Sequence, residues 1–378
     1  MAIGWGNVTT TPARHDVSFV FDALRRWPDF ESAELRAWDA ADTLIVDAAA
    51  PLLAAADLAV IGDDYGALTL GALAAGASRV RVHQDSLAGE RALRANGEGA
   101  YESLPLAPEL VAGATLVLLK LPRSLDALNE IAALIAAHAA PTAVVIAGGR
   151  IKHMSLGMNE VLQRHFGTLD VSLARQKSRL LIARGPIAGP PVEPRSQLHD
   201  DVGLTVVATG GVFAGTGIDI GTRALIGELG RVKPFDSAID LGCGTGILAA
   251  LLKRARPEAH VLATDQSASA VASAILTMAA NDLDVAVTQD DALSLQPSAS
   301  VDLIVLNPPF HTGAAVDSRI ALKLFEAAFH VLRPGGELWT VWNSHLSYRP
   351  ALDRIVGSTA EISRNSKFTV TKSVARAN

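Results

Sequence analysis

SAIDLGCGTGILAALLKRA, residues 237–255, decides the fold. Ser237–Leu241 is a short, mostly apolar run of strand length, and Gly242-Cys243-Gly244-Thr245-Gly246 reads as a turn. From Ile247 to Arg256 the apolar spacing is helical. A strand, a Gly-rich turn and a helix bring backbone N–H groups close to a ligand, and the helix N-terminus adds partial positive charge. Glycine is needed where a side chain would block that approach. Alone, the turn fits a dinucleotide or an ordinary tight bend equally well.

Downstream the same rhythm repeats. His260–Asp265 reads as a second strand, and Ser267 to Ala280 as a helix with Ser267 at its N-cap. Val285–Thr288 and Val301–Leu306 are a third and a fourth strand, Ser318 to Leu332 a long helix, and Glu337–Val341 a further strand. Strands alternating with helices predict an α/β fold with a mostly parallel sheet. Upstream, Leu58–Leu68 (LAVIGDDYGAL) echoes Ile239–Leu248, with Gly66 lying 180 residues before Gly246. Asp85 lies the same 180 residues before Asp265, and Leu116–Pro122 resembles Leu303–Pro309 at a spacing near 187. Matching positions at one offset point to duplication. The Pro/Gly-rich tract from Gly185 to Pro194 cannot continue a helix or a central strand. The expected organisation is therefore two tandem Rossmann-like domains, 1–184 and 205–378, each with a mostly parallel doubly wound sheet, joined by a linker at 185–204.

Three acids sharpen the reading of the Gly-rich turn. Asp240 ends the first strand, where a carboxylate suits a cationic amino group and opposes a pyrophosphate. Asp265 ends the second, where it can accept hydrogen bonds from ribose hydroxyls. Asp291 follows the third and can accept from an adenine amine. With Gly242, Gly244, Thr245, Gly246 and Asn307 they describe a pocket for a nucleoside carrying an amino-acid tail, namely S-adenosylmethionine. After the fourth strand comes Asn307-Pro308-Pro309-Phe310. The prolines stiffen the loop. The side-chain oxygen of Asn307 and the carbonyl of Pro308 can converge on one NH₂ group, and Phe310 offers a face for stacking a base. This constellation predicts methylation of a planar amine by direct displacement, driven by positioning rather than by acid–base catalysis.

Composition sets limits on the alternatives. Apolar residues make up 49% and charged residues 19%, as in globular proteins, and the net charge of −6 confines any nucleic-acid surface to a local patch. The single cysteine, Cys243, excludes an internal disulfide and a zinc cluster, and no metal is expected. The N-terminus lacks the pattern of a signal peptide, and the apolar stretch around Ile131–Gly148 is broken by His138 and Pro141, so no membrane span is expected. A cytoplasmic protein fits these features; they leave the oligomeric state open and are compatible with a monomer. An oxidoreductase fits poorly, because Gly242–Gly246 lacks the later glycine of the dinucleotide fingerprint.

Asp240–Gly246 together with Asn307–His311 resembles the class I S-adenosylmethionine-dependent methyltransferases that modify planar amines. Gly211-Val212-Phe213, Gly217–Thr222, Asn343–Tyr348 and Lys367–Val370 extend the resemblance to the bacterial ribosomal RNA guanine-N2 methyltransferases. Gly62–Leu68 and Lys120–Arg123 look more like the large-subunit type than the small-subunit type. The resemblance implies duplicated domains with only the C-terminal copy active, a substrate of ribosomal RNA or a ribosomal subunit precursor, and Phe213 lying over the active site. A protein glutamine, an adenine, or a non-catalytic RNA-binding assembly role are the competing readings.

The first copy reads as degenerate. Val60 replaces Asp240, Asp64 stands at Gly244, Lys120 replaces Asn307 and Arg123 replaces Phe310, while Asp85 is taken as the retained counterpart of Asp265. A lysine cannot accept a hydrogen bond from an amine. Between Arg150 and Arg184 seven Lys or Arg residues face two acids, and Arg175, Lys177 and Arg179 are candidates for contacting RNA phosphates.

Overall fold

The computed structural model describes residues 19–32, 35–309 and 314–377. Phe310 and His311 lie outside the described residues, as does the N-terminal segment 1–18. Two seven-stranded sheets carry the chain. The first comprises β1 (Leu58–Ile61), β2 (Val80–His83), β3 (Tyr101–Ser103), β4 (Leu116–Lys120), β5 (Val144–Arg150), β6 (Phe166–Val171) and β7 (Ser178–Pro186). A hairpin follows, β8 (Arg195–His199) and β9 (Leu204–Ala208). The second sheet comprises β10 (Ser237–Leu241), β11 (His260–Asp265), β12 (Ala286–Gln289), β13 (Val301–Leu306), β14 (Leu332–Asn343), β15 (Thr359–Arg364) and β16 (Phe368–Val374).

The strand orders are β3-β2-β1-β4-β5-β7-β6 and β12-β11-β10-β13-β14-β16-β15, so the two sheets share one topology. In each, the last two strands run antiparallel to their neighbours and the other four pairings are parallel. Central strands are buried on both faces: Leu58, Ala59, Val60 and Ile61 are all inaccessible, as are Ile304, Val305 and Leu306. This is why β1 and the stretch Leu303–Leu306 of β13 read as unbroken apolar runs rather than alternating ones. Strand order reverses between β1 and β4, and between β10 and β13. That is the crevice where open α/β sheets bind ligands.

Two expectations need correction. The register pairs Ile61 with His83 but Leu241 with Thr264, an offset of 181 rather than 180. Gln84, not Asp85, therefore occupies the place of Asp265. The second copy holds one extra residue between its first two strands, which hid the shift behind a chance Asp–Asp match. The proposed linker is also more ordered than its Pro/Gly content implied. β7 runs on to Pro186, and Arg195–Leu204 belongs to the β8–β9 hairpin. The free edge of β9 is satisfied by one face of the helix Ala268–Ala280 and its C-cap, Asn281. Asn281 Oδ1 accepts from Thr205 N (2.9 Å), Thr277 Oγ1 from Val207 N (3.0 Å) and Ser273 Oγ from Thr209 N (3.0 Å). Polar side chains four residues apart thus replace a neighbouring strand.

The two copies meet where β2 and β11 end. Leu87 N donates to Gln266 O (3.0 Å) and Ala268 N to Asp85 O (2.8 Å). Asp85 accepts from Ser267 Oγ (2.7 Å) and Ser269 N (2.8 Å), capping the helix that starts at Ala268. Asp85 is therefore a joint between the copies and not a remnant of a cofactor site.

Candidate functional site

The site grows from the C-terminal edge of β10, β11 and β13. Gly246 begins the helix Ile247–Ala255 in the left-handed region (φ +79°), and a Cβ there would lie 2.7 Å from Met278 Cε. Only glycine lets this helix approach the next one so closely. Gly242 and Gly244 differ: both have positive φ, and a Cβ at either would meet nothing within 4 Å. Their open sides face space that a ligand can fill against backbone. Asp265 braces the loop, accepting from Gly244 N at 3.0 Å and from Ser267 N at 3.0 Å. Burial raises its pKa, and these hydrogen bonds oppose the rise.

Asp240 is 1% exposed and accepts from Ala249 N at 3.0 Å. Burial pushes its carboxyl up to about 7, against the pull of that one bond. A buried acid with so little compensation suits a cationic ligand. Thr245 is buried in the turn. Burial likewise raises Cys243, which is a packed thiol and not a nucleophile. Asp291 stands further along the same edge, both oxygens 2.7 Å from Lys323 Nζ and one 3.8 Å from Arg91 of the first copy. Each carboxylate oxygen keeps a second lone pair for another donor.

Asn307 follows directly on β13, with buried Pro308 and exposed Pro309 after it. Its Nδ2 donates to Asp219 Oδ2 (3.1 Å) and to Thr222 Oγ1 (3.0 Å). Its Oδ1 is buried and has no hydrogen-bond partner among the described residues. Asp219 and Thr222 belong to the Gly217–Thr222 segment noted for its resemblance, but their contact with Asn307 was not anticipated. Asp219 also caps the helix Ile220–Ile226, accepting from Gly221 N at 2.9 Å.

The first copy holds the same positions with different chemistry. With Val60 in place of Asp240, Asp63 takes over the helix. It accepts from Thr69 N (2.8 Å), the counterpart of Ala249, and from Gly66 N (3.0 Å) and Leu68 N (3.3 Å). Asp63 thus satisfies this helix N-terminus from within the chain. Lys120 Nζ lies 3.0 Å from Asp39 Oδ1 and 2.6 Å from Asp42 Oδ1. Burial works against the Lys120 ammonium, but Asp42 and Asp39 outweigh it and raise its pKa. Burial also carries Asp42 up to about 6, despite Lys120 beside it.

A cavity of about 1050 Å³ lies between the strand ends of the first copy and the segment 208–216, away from Gly242–Gly246; Asp64, Lys120, Arg123, Arg150, Lys152 and Phe213 are among its walls. Its floor carries Asp64 and Lys120 at the places of Gly244 and Asn307. Phe213 is 60% exposed on its wall. Arg175 and Lys177 are exposed at the hairpin tip beside Arg150, and Arg175 lies 3.7 Å from Asp47. Arg179 is half-buried, with its Nε lacking a partner among the described residues. Among the described residues no acid, histidine and cysteine cluster could hold a metal, and no helix is long and apolar enough to cross a membrane.

Comparison with known proteins agrees with this duplicated plan. Residues 203–372 match the Methyltransferase small domain, and residues 14–186 match the RLMG N-terminal domain. The chain is 34% identical over 374 residues to the ribosomal RNA large subunit methyltransferase G of Streptomyces avermitilis, covering 94% of this chain and 97% of that protein. It is 35% identical over 365 residues to the same-named protein of Pseudomonas entomophila, covering 92% and 96%. Among solved structures, the T. thermophilus 16S rRNA N2 G1207 methyltransferase (RsmC), in complex with AdoMet and guanosine, superposes with a TM-score of 0.75. That match covers 89% of this chain and 92% of the other at 23% identity, and it shows the shared fold. Two sheets of one topology, a glycine cradle kept in one and closed in the other, and relatives matched almost end to end place this chain in the ribosomal RNA large subunit methyltransferase G family of class I methyltransferases.

Proposed function

We infer that this protein transfers the methyl group of S-adenosylmethionine to the exocyclic N2 amine of a guanine in ribosomal RNA, and that residues 205–378 perform the chemistry. The observation that carries the reading is the buried Asn307 Oδ1, which lacks a partner beside the loop Gly242–Gly246. An unpaired buried acceptor costs about 1–3 kcal/mol, so its retention argues for a donor that arrives with the substrate.

The residues present fit the cofactor. Gly242 and Gly244 leave room along the backbone, Asp240 meets the amino group of the methionine tail, Asp265 takes the ribose hydroxyls and Asp291 the adenine amine. Bound there, S-adenosylmethionine supplies an electrophilic sulfonium methyl. The chain itself orients the nucleophile. Asn307 Oδ1 and the Pro308 carbonyl accept the two N–H bonds of the amine, favouring a pyramidal nitrogen whose lone pair is exposed. Phe310 stacks the base. Both acceptors hold the amine without protonating it, and the surplus proton leaves to water.

Residues 1–184 serve substrate recognition and not catalysis in this reading. Support comes from the lost cradle, from Lys120 in place of Asn307, and from Arg175, Lys177 and Arg179 beside the cationic residues Arg150 and Lys152. The relatives' name points to large-subunit RNA, and such a substrate places the enzyme in the cytoplasm. The test is incubation with labelled S-adenosylmethionine and undermethylated ribosomal RNA or subunits, followed by nucleoside analysis. N2-methylguanosine is expected. Label in adenosine, in protein glutamine, or in neither overturns the reading.

A further inference from the structure

The Asn307 amide is held from behind. Both of its N–H bonds are used, one to Asp219 Oδ2 and one to Thr222 Oγ1. An ionised carboxylate only accepts, so Asp219 decides which end of the amide faces it. Turning the amide over would set Oδ1 against Asp219 Oδ2. We propose that Asp219 and Thr222 are positioning residues for methyl transfer, locking the Asn307 amide so that Oδ1 faces the target amine. The Asp219 charge also polarises the amide through its N–H, making Oδ1 a stronger acceptor. This rests on the reading of Asn307 as the residue that holds the amine.

The duplication supports the assignment independently. Asp39 and Asp42 lie 180 residues before Asp219 and Thr222. Asp39 caps the helix Ala40–Leu53 as Asp219 caps Ile220–Ile226. Lys120, the counterpart of Asn307, is gripped by that same pair of positions, at 3.0 Å and 2.6 Å. Where the held group is an ammonium, both positions are carboxylates. Where it is an amide, the second position is a neutral hydroxyl. The pair follows the charge of the group it holds, which capping alone would not require. Gly221 completes the grip: a Cβ there would lie 2.9 Å from Asp219 Oδ2 and 3.3 Å from Asn307 Oδ1.

Four variants separate positioning from folding. Asp219→Asn keeps an oxygen to cap Gly221 N and Thr222 N but removes the charge, whereas Asp219→Ala removes both. Thr222→Val removes the hydroxyl, and Thr222→Ser returns it. Single-turnover rates at saturating RNA and S-adenosylmethionine, cofactor Kd and Tm are measured for each. Asp219→Ala and Thr222→Val are expected to slow transfer by about ten- to a hundredfold, with cofactor Kd within about twofold. Asp219→Asn should fall between wild type and Asp219→Ala, and Thr222→Ser should recover most of the loss. In an Asn307→Ala background, followed over hours, Asp219→Ala should add no further loss, because it acts through the missing amide. A lowered Tm with an unchanged rate per folded molecule, or full additivity in that background, overturns the proposal. A fully active Asn307→Ala would instead remove the reading beneath it, so the two failures are distinct.

Discussion

Asp240 should make cofactor binding pH-dependent in a range where few carboxylates titrate. Its folded pKa of about 7 means that the form able to pair with a cationic amino group is scarce in mild acid. The ionised fraction rises from about one-tenth at pH 6 to about three-quarters at pH 7.5 by simple titration. If only the ionised form binds, apparent affinity scales with that fraction. The expected gain in S-adenosylmethionine affinity is therefore about eightfold over that interval. Calorimetric titration of the unliganded protein at several pH values reads it directly. Asp240→Asn should bind more weakly and show a flat profile. A flat wild-type profile, or the same slope in Asp240→Asn, would refute the argument. The sign for stability is opposite. The carboxyl prefers its proton in the fold, so this contribution is whole below pH 3.8 and lost as pH rises through 7. The loss reaches about 4 kcal/mol by linkage. The first copy carries Val60 at the same place and bears no such cost.

Three further outcomes follow from the geometry. Asn307→Ala should lower the transfer rate by about 10²–10³-fold while cofactor Kd stays within about twofold, a split that equilibrium binding beside single-turnover assays resolves. Lys120→Met leaves Asp39 and Asp42 facing each other in a half-closed site and should cost about 3 kcal/mol in denaturant titrations, with methylation per folded molecule unchanged. Reversing Arg175, Lys177 and Arg179 to Glu should weaken RNA binding and flatten its salt dependence; an unchanged affinity across a salt titration would discard that surface.

The architecture was legible because parallel strands buried on both faces announce themselves as apolar runs, and because glycines at Gly242–Gly246 and Gly62–Gly66 punctuate them. The register was not. Asp85 and Asp265 match at the offset that aligns the glycines, yet pairing is set by backbone hydrogen bonds, which moved by one residue and put Gln84 in the acid's place. The grip on Asn307 was hidden by distance, since Asp219 and Thr222 lie 88 and 85 residues away. A signal existed: carrying the 180-residue offset back lands on Asp39 and Asp42, an echo that two unrelated caps would not produce. The β8–β9 hairpin was masked by the prolines before it. Its partner was spelled on a helix, as Ser273, Thr277 and Asn281 at steps of four.

The joint at Asp85 and Ser267 has a further meaning. Leu87 of the first copy bonds Gln266 of the second, while Ala268 of the second bonds Asp85 of the first. Each half offers the other the same patch, the isologous pattern of a two-fold homodimer. Separate subunits usually need about 1,600 Å² of buried surface to hold such an arrangement. Halves on one chain face each other at an effective concentration in the millimolar range, so the demand on the contact is smaller. Tethering also ended the obligation of symmetry. Identical subunits must carry every substitution twice, whereas fused halves change one at a time, as Lys120 opposite Asn307 records.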